Sequence, residues 1–305
     1  MPKQIRFIAA IMTLAACGAS GPPPAKEFDG ARAMQYVTTQ VAFGPRVPGL
    51  PGHAAMARWL DSTLHQRADS VTLQRWWHRT AGGDSIAMTN VLAQFNLKAT
   101  QRVLYVAHWD TRPRADNDPD PKNKNTPIPG ADDGGSGVAI LLGVADALKK
   151  LPPDVGVDLL FVDGEDYGSF GPPRVDVLIG AAYYARNPLV SERPLFAVLW
   201  DMVGHQNARF NIESNSQIAA SDVAERVWGT ASALGYGNIF SRTYTGGITD
   251  DHIPLIDAGI RAIDVIDIGN YPYWHTIADT PDKESVQSFE AVGNTAVAVI
   301  RRAMK

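Results

Sequence analysis

Apolar positions recur at helical spacing from residue 29 to residue 67, with Ala57, Leu60 and Leu64 on the inward face of the second half. Residues 43–52 divide this region, because their three prolines and three glycines cannot continue a helix. Residues 71–78 and 86–95 alternate in the manner of strands, with the turn Gly82-Gly83-Asp84 between them. Four short apolar runs read as buried strands: 103–107, 155–162, 195–200 and 260–268. Helical spacing returns at 138–148, 178–185, 223–234 and 286–303. Strands alternating with helices predict an α/β fold, with a central mixed, mostly parallel sheet flanked by helices on both faces.

Composition narrows the partners. The 305 residues carry 28 basic and 32 acidic side chains, with neither a basic stripe nor an acidic tail, so nucleic acid is not expected as a partner. One cysteine excludes an internal disulfide framework and any cysteine-rich metal site. A bound metal would have to be held by His, Asp and Glu.

The cysteine's position changes the picture of the N-terminus. Lys3 and Arg6 precede an apolar run over 7–16, too short to span a bilayer, and then Cys17. Leu14-Ala15-Ala16-Cys17 looks like a bacterial lipobox, which predicts a signal peptide over 1–16 and a lipid on Cys17. Residues 17–28, rich in Gly, Pro and Ala, read as a tether, and 29–305 as one catalytic domain. The expected location is the bacterial cell envelope, periplasmic or outer-membrane-associated, with the lipid as the only membrane contact.

Four predicted strands run into charged residues, and ligands of such sheets lie at the carboxyl ends of strands. These are His108 and Asp110, the stretch 163–166, Asp201, and the region 264–275. Asp163-Gly164-Glu165-Asp166 offers two neighbouring carboxylates, one able to bind a metal while the other faces substrate, although an acidic turn after a strand is common. Asp133, before the Gly134-Gly135-Ser136-Gly137 helix start, reads equally as an N-cap or a ligand. Ser136 lacks the spacing of a nucleophile elbow. Trp274-His275 is a packing pair or a ligand beside an aromatic wall, and Asp250-Asp251-His252 is a capping cluster or part of the site.

Taken in order, His108, Asp133, Glu165-Asp166, Asp201 and His275 resemble the co-catalytic zinc aminopeptidases and their relatives, the animal-type (type II) glutaminyl-peptide cyclotransferases. Thr249-Asp250-Asp251-His252-Ile253-Pro254-Leu255, Trp274-His275-Thr276 and Arg46-Val47-Pro48-Gly49 are similar to the cyclase motifs. Ala107-His108-Trp109-Asp110-Thr111-Arg112-Pro113 looks like the bacterial members. One departure is that the animal enzymes carry Glu-Glu where this chain has Glu165-Asp166, so the second carboxylate is one methylene shorter.

The resemblance implies an enzyme converting N-terminal glutamine of peptides or proteins to pyroglutamate with loss of ammonia. It implies one zinc on Asp133, Asp166 and His275, Glu165 as acid–base, Asp250 as its partner, and a substrate pocket of Trp274, Ile248 and Thr249. His108 and Asp201 are then supporting residues, or ligands of a second metal. The alternative is a two-zinc aminopeptidase in which those two residues ligate and Glu165 activates water. A non-catalytic binding lipoprotein is a third reading, against which the presence of Glu165 argues. The substrates and the oligomeric state are not specified by these residues, and a monomer is expected.

Overall fold

The computed structural model describes residues 26–304; the expected signal peptide, the Cys17 read as a lipobox cysteine and most of the expected tether lie outside the described residues. In chain order the elements are α1 (Gly30–Ala42), α2 (Pro51–His65), β1 (Ser70–Arg79), β2 (Ser85–Phe95), β3 (Arg102–His108), α3 (Gly135–Lys150), β4 (Gly156–Val162) and α4 (Ile179–Arg186). There follow β5 (Ala197–Asp201), β6 (Phe210–Glu213), α5 (Ser214–Ala233), β7 (Phe240–Thr245), α6 (His252–Asp257), β8 (Ala262–Ile266) and α7 (Val286–Arg301).

Six strands form one sheet in the order β1-β2-β4-β3-β5-β8, and β6 and β7 pair separately. The β1–β2 hairpin and its junction with β4 are antiparallel, whereas β4, β3, β5 and β8 run parallel. Both faces of the parallel part are covered. Tyr105 and Ala107 face a large core with α1, α3 and α7, while Leu104 and Val106 face a smaller one with α4 and α6. A strand buried on both sides has no polar face to alternate with, which is why its sequence reads as a continuous apolar run.

Helix α3 packs closely against the sheet. A Cβ on Gly137 would lie 2.0 Å from the Trp200 carbonyl oxygen, so only glycine permits this approach. Folded contacts begin ahead of Asp29. Phe28 sits over Gly143 and Gly293, its N–H donates to Asn294 Oδ1 at 3.2 Å, and Glu27 pairs with Arg301 at 2.7 Å.

The main departures from the sequence pattern lie between β5 and β8. Helix α5 begins at Ser214 rather than near Val223, because the Glu213 carboxylate accepts the N–H groups of Asn215 and Ser216 and starts the helix there. Its polar first turns are separated from the apolar stretch by a kink at Ala220 (φ −156°, ψ 57°). The short strands β6 and β7 on either side carry no apolar run long enough to announce them.

Candidate active site

Because β4, β3, β5 and β8 are adjacent and parallel, their carboxyl ends deliver side chains to one place. His108 ends β3, Asp201 ends β5, the turn Asp163–Asp166 follows β4, and His275 lies in the loop after β8. Asp133 arrives from the segment before α3. It does not cap that helix: the capping position is Gly134 (φ 81°), with no side-chain cap. Ser136 is spent internally, donating to the Asp132 carbonyl and accepting from Val203 N–H.

Asp133, Asp166 and His275 converge with all three side chains buried. His275 Nε2 is 3.4 Å from Asp133 Oδ2 and 3.2 Å from Asp166 Oδ2, and neither oxygen has a hydrogen-bond partner. Tetrahedral zinc with bonds of ~2.0–2.1 Å spaces its donors roughly 3.3 Å apart, so this N,O,O set fits zinc with one position left for a substrate atom. Burial lowers the pKa of His275, but Asp166, Asp116 and Asp133 outweigh it and push the imidazole up to about 9. A metal cation would take the place of that proton.

A second cluster, His108, Asp133 and Asp201, lies beside the first and shares Asp133. Here one pair is already hydrogen-bonded: His108 Nε2 is 3.0 Å from Asp201 Oδ1, with Asp133 Oδ1 at 3.3 Å. Its other nitrogen is 3.5 Å from Asp110 and 3.9 Å from Glu165 Oε2.

Two carboxylates outside the ligand set hold the main chain that carries it. Asp110 accepts the N–H groups of Glu165 (3.0 Å) and Asp166 (3.3 Å). Asp279 accepts those of Asp132 (2.9 Å) and Asp133 (3.2 Å), and also the Tyr271 hydroxyl at 2.6 Å. Arg46, fully buried, donates to the carbonyls of Trp109 (3.0 Å), Pro129 (2.9 Å) and Gly130 (2.6 Å), tying the exit of β3 to the approach of Asp133. His53 of α2 grips Asp163 at 2.9 Å and stacks on Trp109.

The metal-facing atoms open into a cavity of about 430 Å³ whose walls include Glu165, Asp201, Ile248, Thr249, Asp250 and Trp274. The residues given a role by the family resemblance border one cavity, except His108, which lies behind it with 1% exposure; Asp251 and His252, next to Asp250, are buried and do not line it. The Trp274 ring lies 4.1 Å from that of His275. Burial raises the pKa of the Glu165 carboxyl; His108 pulls it down, Asp166 and Asp250 push it further up, and it ends well above the carboxylate range. Burial and the charge of Asp201 push Asp250 up to about 7. Sequence reasoning passed over Arg112 and Asp116, which also line the cavity. Their spacing of four within a polar loop was the available signal.

An α/β sheet with two His/Asp clusters sharing one aspartate at its strand ends defines a metallohydrolase-like class. The model of peptidase family M28 matches residues 90–300, and the chain belongs to that family. It is similar to the glutaminyl cyclase of Porphyromonas gingivalis (38% identity, TM-score 0.88, covering 92% of this chain and 100% of that one). Comparable likeness joins it to the Bacteroides thetaiotaomicron glutaminyl cyclase bound to N-acetylhistamine (38%, 0.87, 90% and 98%). A structure described as a leucine aminopeptidase precursor from the same organism is equally similar (38%, 0.88, 92% and 98%). The chain spans only 52% of the Escherichia coli alkaline phosphatase isozyme conversion protein (27% identity over 191 residues) and 58% of Bacillus subtilis aminopeptidase YwaD (22% over 301 residues).

Proposed function

We propose that the protein is a zinc-dependent glutaminyl-peptide cyclotransferase acting on peptides or proteins with N-terminal glutamine. The observation that carries the reading is the company of the metal-facing atoms: Trp274 beside the ligand His275, and Glu165 with Asp250, on the walls of one cavity. Similarity to two glutaminyl cyclases over nine tenths of the chain supports it.

A zinc ion on Asp133, Asp166 and His275 would supply Lewis acidity toward the glutamine γ-carbonyl oxygen. The remaining work falls to the chain. The substrate's α-amine forms the new C–N bond, the bond to the carboxamide nitrogen breaks, and ammonia leaves. Because attack is intramolecular, the cavity must hold the side chain folded back upon the amine. Trp274 packs against it and keeps out the water that would hydrolyse it. Ile248 is fixed for the same task by its N–H to Glu213 (3.1 Å) and its carbonyl to Asn215 (2.7 Å), with Thr249 continuing the wall. Glu165 accepts the ammonium proton and returns one to the departing nitrogen, and Asp250 tunes its basicity.

A specific observation favours a second reading. His108, Asp133 and Asp201 retain the composition of a second metal site, and the aminopeptidase-described structure is as similar as the cyclases. A two-substrate assay separates the two. A Gln-initiated peptide should yield ammonia and a blocked N-terminus, whereas a Leu-initiated peptide, lacking a γ-carboxamide, should release nothing. Rapid release of leucine with no ammonia from glutamine would overturn the cyclase assignment.

A further inference from the structure

We propose that Arg112 is a positioning residue of the metal centre, holding two of its ligands at once; this rests on the reading of Asp133, Asp166 and His275 as a zinc site. The Arg112 side chain is 5% exposed and splits its donors between two carboxylates. Nη1 donates to Asp166 Oδ1 at 2.5 Å, while Nε and Nη2 donate to the two oxygens of Asp116 at 2.7 and 2.5 Å. Asp116 Oδ1 in turn lies 3.5 Å from His275 Nδ1, the nitrogen opposite the metal-facing Nε2.

The arrangement closes a ring: Asp166, Arg112, Asp116, His275, and back to Asp166 through the site. Each member limits the next. With Oδ1 taken by the guanidinium, Asp166 has one oxygen left, Oδ2, to offer a metal. Its short side chain thus ligates through a single atom and leaves the fourth position open. With Nδ1 facing Asp116, the imidazole of His275 is directed to present Nε2 inward, the usual arrangement of a ligating histidine with an acceptor behind it.

His275 needs such support because its backbone is in the left-handed region (φ 56°), which a non-glycine residue occupies only when its surroundings insist. The same loop supplies them: Asn117 N–H donates to the His275 carbonyl at 3.1 Å, and Asp118 Oδ2 accepts Ile277 N–H at 3.1 Å. A planar guanidinium fork can serve two carboxylates in fixed directions; an ammonium cannot. The geometry therefore separates a positioning role from mere charge neutralisation.

The test is zinc affinity, measured by chelator competition on the whole chain, with the Co²⁺ absorption spectrum as a report on ligand geometry. Arg112→Lys keeps the charge but loses the fork. Asp116→Asn, left with a single acceptor oxygen, cannot serve Arg112 and His275 together, which weakens the link to His275 while leaving Arg112 bound to Asp166. Outer partners of metal ligands are typically worth ~10–100-fold in metal affinity. Each variant should weaken zinc by at least the lower factor and alter the Co²⁺ spectrum, with melting of the metal-free protein little changed for Asp116→Asn. Wild-type affinity and spectrum in Arg112→Lys would overturn the proposal. If that variant does not fold, unchanged affinity in Asp116→Asn overturns it instead. A wild-type chain that takes up no zinc would sink both this proposal and the metal reading beneath it. Failure of the glutamine–leucine assay alone would leave these affinities where they are.

Discussion

Asp279 never faces the metal site, yet its Oδ2 accepts the backbone N–H of Asp133 at 3.2 Å and so fixes the main chain of the residue shared by both His/Asp clusters. The same carboxylate accepts Asp132 N–H and the Tyr271 hydroxyl, all in a buried environment. Asp279→Ala leaves three donors without an acceptor, and a buried donor left unsatisfied costs about 1–3 kcal/mol. After relaxation the variant should lose roughly 3–5 kcal/mol of stability. Denaturant unfolding in the presence of chelator reads this without any contribution from metal, and a loss below 1 kcal/mol would contradict the argument.

Glu165→Gln preserves size and removes basicity. General acid–base groups contribute typically ~10²–10⁴-fold, so ammonia release from a Gln-initiated substrate should fall by at least 100-fold. Zinc content should stay at the wild-type level, because Asp166 is the residue whose oxygen faces His275 Nε2. Loss of zinc in this variant would mean that the roles of the two neighbouring carboxylates are reversed.

Both the helical spacing and the buried strand runs were readable because burial on one or two faces leaves a period in the sequence. The site was readable for a different reason. His108, Glu165, Asp166 and Asp201 stand at or just past the ends of apolar runs, His275 lies in the loop that follows β8, and strand ends converge in a parallel sheet. What stayed hidden were roles made by contacts across the chain. Asp279 and Asp110 look like ordinary loop acids, and only the fold shows that each grips two successive N–H groups. Asp133 looked as much like a cap as a ligand, and the choice turned on Gly134 taking the capping position.

Glu213 supplies a pH dependence from behind the cavity wall, where it accepts Ile248 N–H. Burial alone would raise its carboxyl, but His252 and Ser216 outweigh that and hold it at about 2. In the unfolded chain a glutamate titrates near ~4.3, so the folded state is the poorer proton binder. The stabilisation is complete above the unfolded value and is lost as pH falls from roughly 4.5 toward 2. Glu213→Gln should flatten this part of the stability profile and fray the start of α5. An acid limb of unchanged steepness in the variant would refute it.

Gly137→Ala tests the close contact of α3 with the sheet. The added methyl would meet the Trp200 carbonyl, a backbone atom that cannot rotate away. Overpacking of this kind typically costs ~1–3 kcal/mol, which outweighs the ~1 kcal/mol of helix propensity that alanine gains over glycine. Thermal melting should drop, whereas an exposed glycine such as Gly246, with nothing within 4 Å of its Cβ position, should accept alanine with little change.

The strand order has a kinetic consequence. Asp132 and Asp279 are 147 residues apart, and Asp110 reaches Asp166 across 56. The ligand set cannot exist until β8 has docked on β5 at one edge of the sheet. Contacts of such long range are slow to form, since loop closure must precede any reward from them. Metal capture therefore belongs to the end of folding and cannot nucleate it. During refolding, native-like secondary structure should come well ahead of zinc uptake, and adding zinc at the start should leave the rate of the main folding phase unchanged while raising the stability of its product.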